Sequence, residues 1–85
     1  MVEKKLVGKI VHFYPKISVV VVELEDTLKV GDKISVERES GSFEQVVDSM
    51  QVEHKNIEEA KAGDAIGMKV TEPTREGAKV FKIVE

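Results

Sequence analysis

Ile17-Ser18-Val19-Val20-Val21-Val22-Glu23-Leu24, residues 17–24, is a β-branched run whose only rational secondary structure is a strand. With a side-chain period of two, Val20, Val22 and Leu24 share one face, and Val19, Val21 and Glu23 share the other. The first face is wholly apolar and belongs to a core; the second turns polar toward its end. Upstream, Lys5 to Tyr14 alternates in the same way, and Pro15-Lys16 between the two runs is a short turn, so a hairpin is expected.

Downstream the pattern recurs. Glu25-Asp26-Thr27 breaks the second strand, and Leu28-Lys29-Val30 leads through Gly31-Asp32 into a third, Lys33 to Glu37, with Ile34 and Val36 inward. A longer strand is expected from Phe43 to about His54, its Val46, Met50 and Val52 on one face together with Asp48, which a bulge near Val47 would turn outward. Residues 56–62 hold the one helical candidate, a single turn with Asn56 as N-cap. Gly63-Asp64 repeats the Gly31-Asp32 device ahead of Ala65 to Val70, with Ile66, Met68 and Val70 inward. The segments around the two turns do not match closely enough to read as an internal repeat. After the loop of residues 71–77, Ala78 to Val84 is the last strand.

Val and Ile together make up about a quarter of the 85 residues. Six or seven short antiparallel strands at this spacing predict an all-β, small closed barrel with at most one short helical turn, since closure removes exposed edges. A chain of this length supports one core, so residues 1–85 are read as one domain. Without Cys there is neither a disulfide framework nor a thiolate metal site. The absence of a continuous apolar run and of a secretory pattern leads to a cytoplasmic expectation. Twelve Glu and eleven Lys against three Asn plus Gln lean toward a thermophile surface and fit a well-solvated mesophile surface equally. A net charge of −3 argues against a general nucleic-acid binder and leaves room for a local basic patch.

Three strings carry a family resemblance. Leu28-Lys29-Val30-Gly31-Asp32-Lys33-Ile34, then Val47-Asp48-Ser49-Met50-Gln51-Val52, then Ile57-Glu58-Glu59-Ala60-Lys61-Ala62-Gly63-Asp64-Ala65-Ile66-Gly67 resemble, in order and spacing, the second domain of elongation factor Tu and other translational GTPases. The ending Arg75 to Ile83 resembles small stand-alone archaeal elongation-factor-like proteins, and a more distant resemblance is to the C-terminal barrel of collagenase-like peptidases. The first resemblance implies a closed barrel of the translation-factor domain 2 type and a docking surface for tRNA, ribosomal RNA or a translation-related protein. It implies no GTP hydrolysis, because no phosphate-binding Gly-Lys-Ser/Thr loop is present.

Lys9, His12, Tyr14 and Lys16 are the candidate nucleic-acid residues, an aromatic and basic cluster able to stack a base; strand packing of the same residues is the plainer explanation. Phe13 and Tyr14 must point to opposite faces. His12 and His54 show no ligand spacing, Ser49 has no base and acid near it in sequence, and Glu58-Glu59 and Glu23, Glu25, Asp26 read as solvated charge, so no metal, cofactor or catalytic residue is assigned. Lys69, Arg75, Lys79 and Lys82 form either a basic edge or a lysine guard against edge pairing. Two non-enzymatic functions are expected: a translation-factor-like module docking on an RNA-containing partner, or a protein-interaction or structural accessory domain without RNA binding.

Overall fold

The computed structural model describes residues 3–39, 41–53 and 55–84. Ten strand segments are present among them: β1 (Glu3–Tyr14), β2 (Val19–Leu24), β3 (Leu28–Lys29), β4 (Lys33–Arg38), β5 (Gly41–Val46), β6 (Met50–Val52), β7 (Lys55–Ile57), β8 (Glu59–Ala60), β9 (Ala65–Lys69) and β10 (Lys79–Val84). Eight form one antiparallel sheet in the order β5-β4-β10-β1-β2-β9-β6-β7, and β3 pairs with β8 in a small second ladder. Laid flat, eight strands about 4.8 Å apart would make a slab roughly 10 Å thick. The shortest dimension is instead 20 Å, because the sheet coils over itself around one core.

That core is what the alternation predicts over most of the chain. Val20, Val22, Leu24, Ile34, Val36, Ile66, Met68 and Val70 are all buried. Each such side chain withdrawn from water contributes about 1.5–3 kcal/mol, which is why register is held so firmly. β1 and β2 form the expected hairpin, with Ser18 at φ 53° in the turn.

The bend comes from β1. Its first half pairs with β10 and its second with β2, with one irregularity in register between Leu6 and Gly8 and another between Ile10 and His12. Val7 and Val11 are the extra residues, and such bulges raise the local twist. Between them β2 passes so near that a Cβ on Gly8 would stand 2.6 Å from the Glu23 carbonyl oxygen. Only glycine fits there.

Both Gly-Asp turns use one hydrogen-bond scheme. Gly31 and Gly63 sit at φ 98° and 93°, which favours glycine. The Asp32 carboxylate accepts from the Lys29 N–H at 2.9 Å and the Asp64 carboxylate from the Lys61 N–H at 3.0 Å. Gly31 N–H donates to Val47 and Val47 N–H to the Asp32 carbonyl; Gly63 N–H donates to Leu24 and Leu24 N–H to the Asp64 carbonyl. With Leu28 opposite Ala60 between them, the two turns are related by a local twofold that the side chains around them do not reveal.

Three expectations are corrected. The sheet does not close: β5 and β7 are its edges and do not pair with each other. Inside the β5 edge, the Gln45 amide donates to the Lys69 carbonyl at 2.9 Å and its oxygen accepts from the Thr71 N–H at 2.9 Å. A side chain therefore ties the β5 edge to the end of β9. The long strand from Phe43 is broken at residues 47–49, because the Val47 backbone is taken by Gly31 and Asp32. Phe43, Gln45 and Val47 face inward, whereas Val46 is 48% exposed, so its predicted place on the Met50 face is wrong. No helix forms at residues 56–62. Ile57 pairs with Met50 and buried Ala60 with Leu28, and one helical turn cannot compete with strand pairing because its nucleation is costly. Asn56 caps nothing; its side-chain oxygen accepts from Gln51 at 3.0 Å.

Candidate functional site

The four candidate residues are only partly brought together. His12 and Tyr14, two apart on β1, share its outer face with their rings 4.3 Å apart and tilted by 58°. Phe13 packs against the core between them. Lys16 stands in the adjoining turn. Lys9 lies five residues before Tyr14, roughly 15 Å along an extended strand. It sits in a charged row, opposite Glu23 on one side and Lys79 on the other, with Glu37 beyond Lys79. The ring pair and Lys9 are thus separate features. The His12 Nδ1 is 3.2 Å from Glu76 Oε1, a contact open to solvent.

Registers extend the His12–Tyr14 surface across the sheet. Tyr14 is opposite Val19 and Val19 opposite Lys69; His12 is opposite Val21, Val21 opposite Gly67, and Gly67 opposite Gln51. These side chains share the outer face. Val19 and Val21 are half-buried there, Tyr14 is exposed, and Ile17 in the turn is 60% exposed. The period-two reading separated Val19 and Val21 from the core face, and the size of the surface they join was hidden by its long-range pairings.

A second feature, a groove of about 570 Å³ lined by Arg38, Glu39, Pro73, Thr74 and Arg75, lies between the β4–β5 hairpin and the loop before β10. The Arg38 guanidinium donates to the Pro73 carbonyl, to the Gly41 carbonyl at 3.2 Å and to Glu72 Oε1 at 3.3 Å, and it lies over the Phe43 ring at 4.9 Å. Three of its N–H donors hold the loop and the hairpin. Of the predicted basic edge, Lys82 pairs with Asp32 at 3.4 Å, whereas Lys69, Arg75 and Lys79 have no ion-pair partner among the described residues.

One surface pair is electrostatically perturbed. Lys5 Nζ lies 2.8 Å from Asp26 Oδ2. The hydrogen bond from Lys5, then that from the Thr27 N–H and the lysine's charge, hold the Asp26 carboxyl below its ordinary range. The bond to Asp26 raises Lys5 in turn. Both groups face solvent and neither lies in a cleft. Among the described residues no three His, Cys, Asp or Glu side chains converge on one point. Ser49 is exposed in the link before β6. His54 lies outside the described residues. No helix among the described residues is long and apolar enough to cross a membrane.

Comparison with solved structures returns the C-terminal domain of a Geobacillus thermoleovorans protein named as a U32 peptidase, with a TM-score of 0.86 at 17% identity, covering 92% of this chain and 91% of that one. The fold is that of this peptidase domain. The selenomethionine variant of the same domain agrees, with a TM-score of 0.85 at 16% identity, over 89% of this chain and 96% of that one. In sequence, the chain is 42% identical over 80 residues to an uncharacterized protease of Methanocaldococcus jannaschii. The match takes in 93% of this chain and spans a fifth of the relative's length. No family model matches the chain.

These findings overturn the translation-factor resemblance. The expected elongation-factor-like module docking on RNA is replaced by a likeness to peptidases, and the comparisons give no support to the interaction or structural accessory domain without RNA binding that was set beside it. The error has a physical origin. The quoted strings centre on two Gly-Asp turns, whose residues are fixed by a positive φ and by a carboxylate accepting a backbone N–H. Such strings report a turn geometry and not a function, and unrelated functions share one fold.

Proposed function

We infer that the chain serves as a non-catalytic, C-terminal-type domain of a U32-type peptidase, working with a separate peptidase body. The observation that carries this reading is the 42% identity over 80 residues to the M. jannaschii protease, a match that runs through nearly the whole chain and leaves four-fifths of the relative for other parts. The peptidase-domain fold supports it independently. The non-catalytic half of the reading is supported by how the charged groups are used among the described residues: seven exposed or part-exposed ion pairs and two turn-capping aspartates.

The test removes the matched 80-residue segment from the M. jannaschii protein and supplies this chain in trans. Sedimentation velocity is expected to show a complex between the truncated body and this chain at micromolar concentration. Hydrolysis of an unfolded protein substrate by the truncated body is expected to rise several-fold on adding the chain, while the chain alone cleaves nothing. Hydrolysis by the chain alone, or neither complex nor rise in activity, would sink the reading.

A further inference from the structure

The outer face built from Tyr14, Val19, Val21 and Gly67 holds a glycine that the fold does not require. Gly67 occupies the middle of β9, where a glycine weakens a strand through its backbone entropy. Its φ lies outside the left-handed region, and a Cβ placed on it would meet nothing nearer than 3.8 Å, the Gln51 carbonyl oxygen and Val19 Cγ1. Nothing inside the molecule calls for glycine there, in contrast to Gly8. The missing side chain leaves a shallow floor beside two half-buried valines, with Tyr14 on one side and Gln51 on the other. Glycine in a strand commonly marks the close approach of another backbone.

Charge narrows the choice of occupant. Among the described residues Lys9, Lys16, Lys55, Lys61, Lys69 and Lys79 have no carboxylate partner. Lys69, opposite Val19, and Lys16, in the turn beside Tyr14, stand at the rim of this face with no such partner among the described residues. The face is therefore an apolar centre with Lys16 and Lys69 on one side of its rim and the His12–Glu76 contact at another, and the lysine side is complementary to a surface edged by carboxylates.

We propose that this face is the surface through which the chain packs against the body of a U32-type peptidase, the body presenting an apolar patch rimmed by Asp or Glu. This rests on the preceding reading, in which a body exists to be met, and on the four-fifths of the M. jannaschii relative that lies outside the match. The Gly67 floor admits the body's backbone against Val19 and Val21, while Lys16 and Lys69 set orientation.

The test measures affinity between this chain and the truncated M. jannaschii body by calorimetry, with three variants whose unfolding midpoints are checked first. Lys16→Glu with Lys69→Glu alters only exposed side chains and is expected to weaken binding about tenfold, with the salt dependence reduced or reversed. Gly67→Glu, which fills the floor and adds a like charge, is expected to weaken it by about a hundredfold or more. Val30→Lys, an exposed apolar residue beside the β3–β8 ladder, is expected to bind as the unaltered chain does. Binding unchanged in both face variants overturns the docking face and leaves the functional reading standing. No binding by the unaltered chain overturns that reading and the face with it.

Discussion

Gly8→Ala is expected to lower the free energy of unfolding by about 2–3 kcal/mol, the scale of an overpacked core. The new methyl would stand 2.6 Å from the Glu23 carbonyl oxygen and 2.9 Å from Val22 Cγ1. Neither neighbour can yield cheaply. The oxygen belongs to the β2 backbone, and Val22 is fully buried with a β-branched side chain limited in rotamer. Relief must come from straightening β1 between its two bulges, which loosens the fold of the sheet around the core. For a chain of this size the loss corresponds to a fall of about 10–20 °C in melting temperature. Gly67→Ala supplies the matched control, because there a methyl meets only ordinary contacts; it should gain about 0.5–1 kcal/mol. Guanidinium denaturation of both variants checks the pair. Equal effects at the two positions would show that the narrow β1–β2 approach does not govern stability.

Gln45→Ala should cost about 2–4 kcal/mol, because it leaves two backbone groups without partners at a part-buried seam. The Lys69 carbonyl loses its donor and the Thr71 N–H loses its acceptor. Gln45→Met preserves most of the volume and should cost nearly as much, which separates lost hydrogen bonding from lost packing. Gln45→Glu gives a sharper check through its pH dependence. Ionised, the carboxylate still accepts from Thr71 but faces the Lys69 carbonyl with no proton to donate, and burial pushes its pKa up. The folded-state pKa then lies above the unfolded value, so this variant should gain stability as pH falls through that range, when the protonated acid donates to Lys69 as the amide did. A Gln45→Glu variant whose denaturation midpoint only falls on acidification would mean that the bridge does not hold the seam.

How far the chain could be read from its sequence follows from how local each determinant is. Val20, Val22 and Leu24, and equally Ile66, Met68 and Val70, announce their inward face through neighbours two residues away, and they are buried. Gly31-Asp32 and Gly63-Asp64 announce turns because the residues that need a positive φ and those that cap a backbone N–H are adjacent. Gln45 is the opposite case. It breaks the apolar phase of β5, its partners are 24 and 26 residues away, and without them Val46 looks like the natural inward residue. Residues 55–60 mislead for a related reason: Asn56, Glu58 and Glu59 suit a helix start, while Met50 and Leu28, which decide the matter by pairing, lie elsewhere in the chain. On the candidate site, the shared face of His12 and Tyr14 follows from their spacing. Its continuation through Val21 to Gly67 needs two cross-strand registers that no local pattern supplies.

The paired Gly-Asp turns bear on cooperativity. The first turn is gripped by Val47, at the end of the strand opening the second half of the chain, and the second is gripped by Leu24, at the end of a strand in the first half. Each half thus completes a turn that the other half begins. The two sets of hydrogen bonds share no residue, and the Leu28–Ala60 pairing between β3 and β8 is what links them. The two turns are therefore expected to open together, with similar amide exchange at Gly31 and at Gly63.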